Sequence, residues 1–137
     1  MLTQIPDSEQ MKFKEKFTER YSKLTNFEEF KKYSLSFLRR SIRVNTIKIS
    51  ISELRKRLEK NWNLEQIPWC EEGFYIEHIK KERRDIGNLI EHSLGYFYTQ
   101  EAASMIPPIV LEPEESDTVL DMAASPGSKT TQIAALM

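Results

Sequence analysis

This sequence is poor in several things. It has one cysteine, Cys70, four glycines, and no apolar run long enough to cross a bilayer. A single cysteine excludes an intrachain disulfide framework and a multi-cysteine zinc site within these residues. His78 and His92 are too far apart, and in contexts too unlike, to suggest a metal pair, so no metal is expected. Met1 to Lys12 lacks the basic start and apolar stretch of a secretory leader, which makes a cytoplasmic home the expectation, nuclear or nucleolar in a eukaryote. Two nucleotide motifs are missing as well. Gly127 stands alone where a dinucleotide fingerprint needs three glycines, and a P-loop fails on spacing because Met122 or Ala123 holds the place of its early glycine.

What is present suits a globular protein: 39% hydrophobic and 30% charged residues. The net charge of -1 hides a gradient. The first 105 residues carry 19 basic and 16 acidic side chains, whereas Lys129 is the only basic residue from Ile106 onward against five acidic ones. Such a modest excess is compatible with a nucleic acid without demanding it.

The chain is organised around Val119 to Gln132. Asp117 to Asp121 is short and apolar at Val119 and Leu120, which predicts the first buried strand of a parallel α/β sheet. Pro126 and Gly127 predict a sharp turn, and Ser128 a cap for the helix that runs to Met137. The amides at that helix start would favour a carboxylate-bearing ligand. The plainer reading is a strand-to-helix corner of any α/β protein. A doubly wound sheet needs further strand and helix units, so the expectation is a fragment that ends inside its first such unit.

Upstream, Met11, Phe13, Phe17, Tyr21 and Leu24 form an apolar stripe within a helical region over 8–33, with Asn26 capping a second helix from Phe27. These aromatics read as core, not as base-stacking platforms. Ile42, Val44 and Thr46 alternate as in a strand. Arg39, Arg40 and Arg43 beside them could pair with phosphates, or could be the charged edge that protects a strand from mispairing. Ser52 predicts the cap of an amphipathic helix to Asn61, with Leu54 and Leu58 inward. Its outer Arg55, Lys56, Arg57 and Lys60 would add little more than solvation. Trp69 to Ile76 reads as turn then strand pivoting on Gly73, with Trp69 more a packing residue than a stacking one. Cys70 lies beside Glu71 and Glu72, which would raise a thiol's pKa, so it reads as structural. The run 80–84 is the densest basic stretch, a solvated loop or a source of non-specific phosphate affinity. Asn88 to Ser93 predicts a short helix, and Thr99 the cap of another through Leu111, kinked at Pro107 and Pro108.

Three segments in order carry a resemblance. Asp121-Met122-Ala123-Ala124-Ser125-Pro126-Gly127-Ser128-Lys129-Thr130-Thr131-Gln132 resembles motif I of the NOP2/Sun family of RNA cytosine-5 methyltransferases, Leu94 to Met105 is similar to its motif X, and Leu38 to Thr46, which ends in Arg43-Val44-Asn45-Thr46, to its Arg-x-Asn-Thr segment. Ala123 stands where the family usually has cysteine, and Ser125 replaces its second alanine; both are small. The resemblance implies a small α+β N-terminal domain, residues 1–94, followed at 95–137 by the start of a Rossmann-like class I methyltransferase sheet. It implies S-adenosyl-L-methionine as cofactor, wrapped by Ala123, Ala124, Ser125, Pro126, Gly127, Ser128 and Lys129, with Asp121 at the strand end. It makes RNA the partner of Arg39, Arg40 and Arg43, tRNA ahead of rRNA, and the protein a monomer with no membrane attachment.

The family's chemistry sets what else is needed. A cysteine thiolate adds to carbon 6 of cytosine, carbon 5 becomes nucleophilic enough to take the methyl group, and the base must be unstacked to be reached. No residue of this chain fills that catalytic role, because the family's working cysteines lie in Pro-Cys and Thr-Cys motifs after motif I, beyond Met137. On this reading the 137 residues alone would be inactive. The alternatives are an RNA-binding accessory module without activity and a structural partner of another subunit.

Overall fold

The computed structural model describes residues 3–81 and 85–137, and the chain divides into two units, Met1–Arg39 and Arg40–Met137. In the first unit, strands β1 (Thr3–Gln4) and β2 (Ser36–Phe37) pair antiparallel and bring its ends together. Between them lie helices α1 (Glu15–Ser22) and α2 (Phe27–Ser34). Asn26 caps α2 as expected, its side-chain oxygen accepting from the amides of Glu28 and Glu29 at 3.1 and 3.2 Å. The expected aromatic stripe packs on itself: Phe17 lies 4.4 Å from Tyr21 between ring centres, and Tyr21 lies 4.6 Å from Phe30. The helical region is shorter than predicted, because Ser8–Gln10 makes only a 3-10 turn and Lys14, extended and without a capping bond, starts α1 late.

The second unit is built on four antiparallel strands: β3 (Ser41–Val44), β4 (Trp62–Gln66), β5 (Gly73–His78) and β6 (Phe97–Thr99), in the order β4-β5-β3-β6. One face carries the larger core. Ile42, Val44, Phe74, Ile76 and Phe97 meet Leu54 and Leu58 of helix α3 (Ile51–Leu58), the two leucines expected to point inward. Ser50, not Ser52, caps that helix, because Ser50 is the residue with Glu53 three places on; the two close a reciprocal capping box. The short helix α4 (Ile90–Ser93) lies where one was expected, preceded by a 3-10 turn at Ile86–Asn88.

The opposite face is covered too, so β3 is buried on both sides. There Ile67, Cys70, Ala102 and Met105 form a second apolar cluster. Gly73 ends the expected turn and starts β5, its amide donating to Cys70 O at 3.0 Å, and it packs closely as well: a β-carbon on it would come within 2.8 Å of Met105 Sδ and 3.1 Å of Cys70. After β6 the chain departs from expectation. Thr99 ends the strand instead of capping a helix, and a 3-10 turn at Ala102–Met105 leads into helix α5 (Ile106–Leu111). Pro107 and Pro108 sit at the first positions of α5, where a missing N–H is harmless, so they start that helix and do not kink it. Helix α6 (Ser128–Leu136) closes the unit.

The protein is thus a mixed α/β structure whose sheet is small and antiparallel. The strand expected at Asp117 to Asp121 is not in a sheet. Those residues are without regular structure, with Leu120 83% exposed and Met122, just after them, 92% exposed. A strand is made by its neighbours' hydrogen bonds, and none of the four strands of this unit pairs with this segment. Of the basic run, Lys80 and Lys81 form an exposed turn after β5, whereas Glu82, Arg83 and Arg84 lie outside the described residues. No helix among the described residues is long and apolar enough to cross a membrane.

Candidate functional site

The turn from Asp121 to α6 is exposed and built from small side chains at Ala123, Ala124 and Ser125. Asp121 organises its near side. One carboxylate oxygen accepts from the Ala123 amide at 3.0 Å and the other from the Thr130 hydroxyl at 2.6 Å. The Thr130 bond, more than the Ala123 one, holds the Asp121 carboxyl below the usual aspartate range. The Ser125–Pro126 peptide is cis, and Gly127 follows at φ 106, in the left-handed region that favours glycine. Gly127, not Ser128, is the cap position of α6, and no side chain caps it. The first helical hydrogen bond runs from Thr131 N–H to Gly127 O, so the amides of Ser128, Lys129 and Thr130 precede it at the helix start.

The far side of the turn is fastened to the antiparallel sheet. The Tyr98 hydroxyl of β6 donates to Pro126 O at 3.3 Å, and Lys129 Nζ donates to Ser104 Oγ at 2.9 Å. Beneath them lies a buried polar lattice. Arg43 Nε donates to Gln100 Oε1 and Arg43 Nη2 to Thr131 Oγ1, both at 2.9 Å. Gln100 Nε2 donates to Gln132 Oε1 at 2.9 Å and to Ser104 O at 3.2 Å, and Gln132 Nε2 donates to Met105 O at 3.1 Å. An open cleft of about 300 Å³ borders the same turn, lined by Pro107, Pro108, Leu120, Asp121, Met122 and Lys129.

The residues predicted for the cofactor, Ala123 to Lys129, are therefore together on one accessible turn. Small side chains, a left-handed glycine and a helix start with leading amides fit a ligand that lies against backbone and carries a carboxylate.

The three arginines are not alike. Arg39 and Arg40 are exposed. Arg43 is 3% exposed, which corrects its assignment to RNA: its face of β3 was read as a strand edge, but β3 is an inner strand and α6, 88 residues away in sequence, covers that face. Burial lowers its pKa, while Cys70, Glu72 and Tyr98 act the other way. A phosphate would reach it only by displacing Gln100 and Thr131. Thr130, Thr131, Gln132 and Tyr98 lie inside the segments that carry the resemblance, but their contacts are not legible there; the one signal is the polar run Thr-Thr-Gln at a helix start otherwise due to be apolar.

Cys70 is buried, with its thiol 3.4 Å from Glu72 Oε2. Burial first and Glu72 second push its pKa up to about 12, which suits packing and not nucleophilic attack. Trp69 is partly covered and its indole N–H donates to Ala102 O at 3.0 Å, a packing role. Among the described residues no group of three or more His, Cys, Asp or Glu side chains could hold a metal ion.

Residues 12–102 match the family described as the N-terminal domain of 16S rRNA methyltransferase RsmF, and residues 108–137 match 16S rRNA methyltransferase RsmB/F. The chain is 53% identical over 127 residues to a tRNA (cytosine(49)-C(5))-methyltransferase of Pyrococcus abyssi, covering 92% of this chain and 40% of that protein. It is 53% identical over 103 residues to ribosomal RNA small subunit methyltransferase F of Shewanella oneidensis, covering 73% of this chain and 21% of that protein. A crystal structure of a methyltransferase homolog protein from Pyrococcus horikoshii superposes with a TM-score of 0.72 at 33% identity, over 91% of this chain and 45% of that one. The chain thus spans between about a fifth and two fifths of the length of the curated relatives it matches.

Proposed function

This chain belongs to the RsmF family of RNA methyltransferases, within the NOP2/Sun group, and from that membership we propose that it forms the N-terminal part of an enzyme methylating carbon 5 of cytosine in RNA. The observation that carries the proposal is the turn Ala123 to Lys129, accessible, made of small residues, and held from both sides by side chains of its own unit. S-adenosyl-L-methionine, once bound there, supplies an electrophilic methyl group on a sulfonium. Ala123, Ala124 and Ser125 give its methionine end room to approach the backbone, and the amides at the start of α6 favour its carboxylate. Asp121 keeps the turn's shape through Thr130, and Lys129, tied to Ser104, keeps a positive charge at its rim.

RNA is the partner of this reading, and tRNA is the first choice because the relative named as a tRNA enzyme matches 92% of the chain. Arg39 and Arg40, both exposed, are the phosphate contacts proposed here. Residues 1–94 are proposed to face RNA and 95–137 the cofactor, the latter folding onto the same antiparallel sheet through β6 and so belonging to the same unit as β3 to β5, with the cytoplasm as the proposed place of action. The nucleophilic cysteine is supplied outside these residues, since Cys70 is buried and holds its proton.

The test is transfer of a labelled methyl group from S-adenosyl-L-methionine to cytosine in unmodified tRNA and rRNA by the full-length protein. Methyl incorporation at carbon 5 supports the proposal. A full-length protein that binds RNA but neither binds nor consumes the methyl donor would make it an accessory RNA-binding module instead.

A further inference from the structure

Arg43 is a side chain expected at the RNA surface and found in the interior, ending on the first turn of α6. A guanidinium is costly to bury, and burial does lower this one's pKa. The sequence nevertheless places it on an inner strand, between β5 and β6, opposite Gly73 and Tyr98. Three features show what its burial achieves. Its two donors diverge, Nε to Gln100 on the sheet side and Nη2 to Thr131 on the helix side. Thr131 in turn donates from the same hydroxyl to Gly127 O at 2.8 Å, so the arginine is one atom removed from the glycine at the bend of the turn. Gln100, its other partner, is fixed by Gln132 of α6 and by Ser41, whose hydroxyl donates to Gln100 O at 2.6 Å.

We propose that Arg43 is a positioning residue for the cofactor turn: through Thr131 it sets the placement of Gly127 and the start of α6 against the antiparallel sheet, and it does not bind RNA. This rests on the reading of the turn as the S-adenosyl-L-methionine site. Lysine cannot replace it, because one ammonium on a flexible stem does not span two acceptors as a planar fork does. A site displaced by a fraction of an ångström loses ligand affinity even though no residue touching the ligand has changed.

The experiment uses the full-length protein and measures two affinities, for S-adenosyl-L-methionine by titration calorimetry and for an unmodified tRNA transcript by a mobility shift at two salt concentrations. Arg43→Lys is expected to weaken cofactor binding about tenfold, the loss of one good hydrogen bond, and to leave RNA affinity and its salt dependence within about twofold. In kinetics the change falls on KM for the cofactor, with kcat recovered at saturating donor. Should Arg43→Lys fail to fold, Thr131→Val removes the acceptor while keeping the arginine and is expected to give the same loss; Thr131→Ser, which restores the hydroxyl, is expected to bind as the wild type does. The double variant Arg43→Lys with Thr131→Val is expected to be no worse than the worse single one. Unchanged cofactor affinity in the Arg43 and Thr131 variants overturns the inference, as does a loss of RNA affinity with a shallower salt slope. Those failures are distinct from failure of the functional reading, which shows as a wild-type protein that does not bind the cofactor at all.

Discussion

Asp121 and Thr130 are joined across the motif I turn by a hydrogen bond of 2.6 Å from hydroxyl to carboxylate. The bond links the last residue before the turn to the third residue of α6, so the turn's conformation is tied to the charge on one aspartate.

That dependence predicts a pH response. The Asp121 carboxyl is held below the usual aspartate range, so the stability it contributes is fully present above about pH 4, the unfolded value, and is lost as pH falls through the lower folded value. Carboxyl NMR titration should show Asp121 ionising below the unperturbed range in the wild type. In Thr130→Val the pKa should move back toward that range, because the largest cause of the depression is gone.

Gln132 is 1% exposed and holds both Gln100 and Met105 O. Gln132→Leu keeps the volume but takes away one of the two acceptors of the buried Gln100 amide and the side-chain donor to Met105 O. A loss of about 2 kcal/mol in urea unfolding is expected, without a change in slope. A loss under about 0.5 kcal/mol would mean that the lattice is not formed in solution.

Helix α3 distinguishes two serines. Ser50→Ala removes the capping box and should cost about 1 kcal/mol. Ser52→Ala, inside the first turn, should cost under about 0.5 kcal/mol. Equal losses would mean that the helix start is misplaced.

These two serines show how far the sequence could be read. Asn26, Leu54 and Leu58 were legible because capping and helical periodicity are local. Ser50 is equally local, and Glu53 three residues on is the signal that separates it from Ser52. Arg43 was not legible. Alternation along β3 says which residues share a face, not whether that face meets solvent, and its cover comes from α6, 88 residues on. The motif I turn was found by resemblance, and its small residues do lie together; the strand leading into it, Asp117 to Asp121, lies bare because strands depend on neighbours.

Cys70 makes a separate check on the interior. With a pKa near 12 and no exposure to speak of, its thiol should react with a disulfide reagent at pH 8 only as fast as the protein opens. Reaction at the rate of a free thiol in native buffer would place Cys70 at the surface and take the second apolar cluster apart.

If Ala123 to Lys129 hold the methyl donor, photolabelling locates it there directly. Ultraviolet irradiation of the full-length protein with methyl-labelled S-adenosyl-L-methionine, followed by peptide mapping, should put label on the peptide containing residues 123–129, and unlabelled donor in excess should abolish it. Competed labelling of the full-length protein that spares this peptide and falls on a distant one would contradict the account.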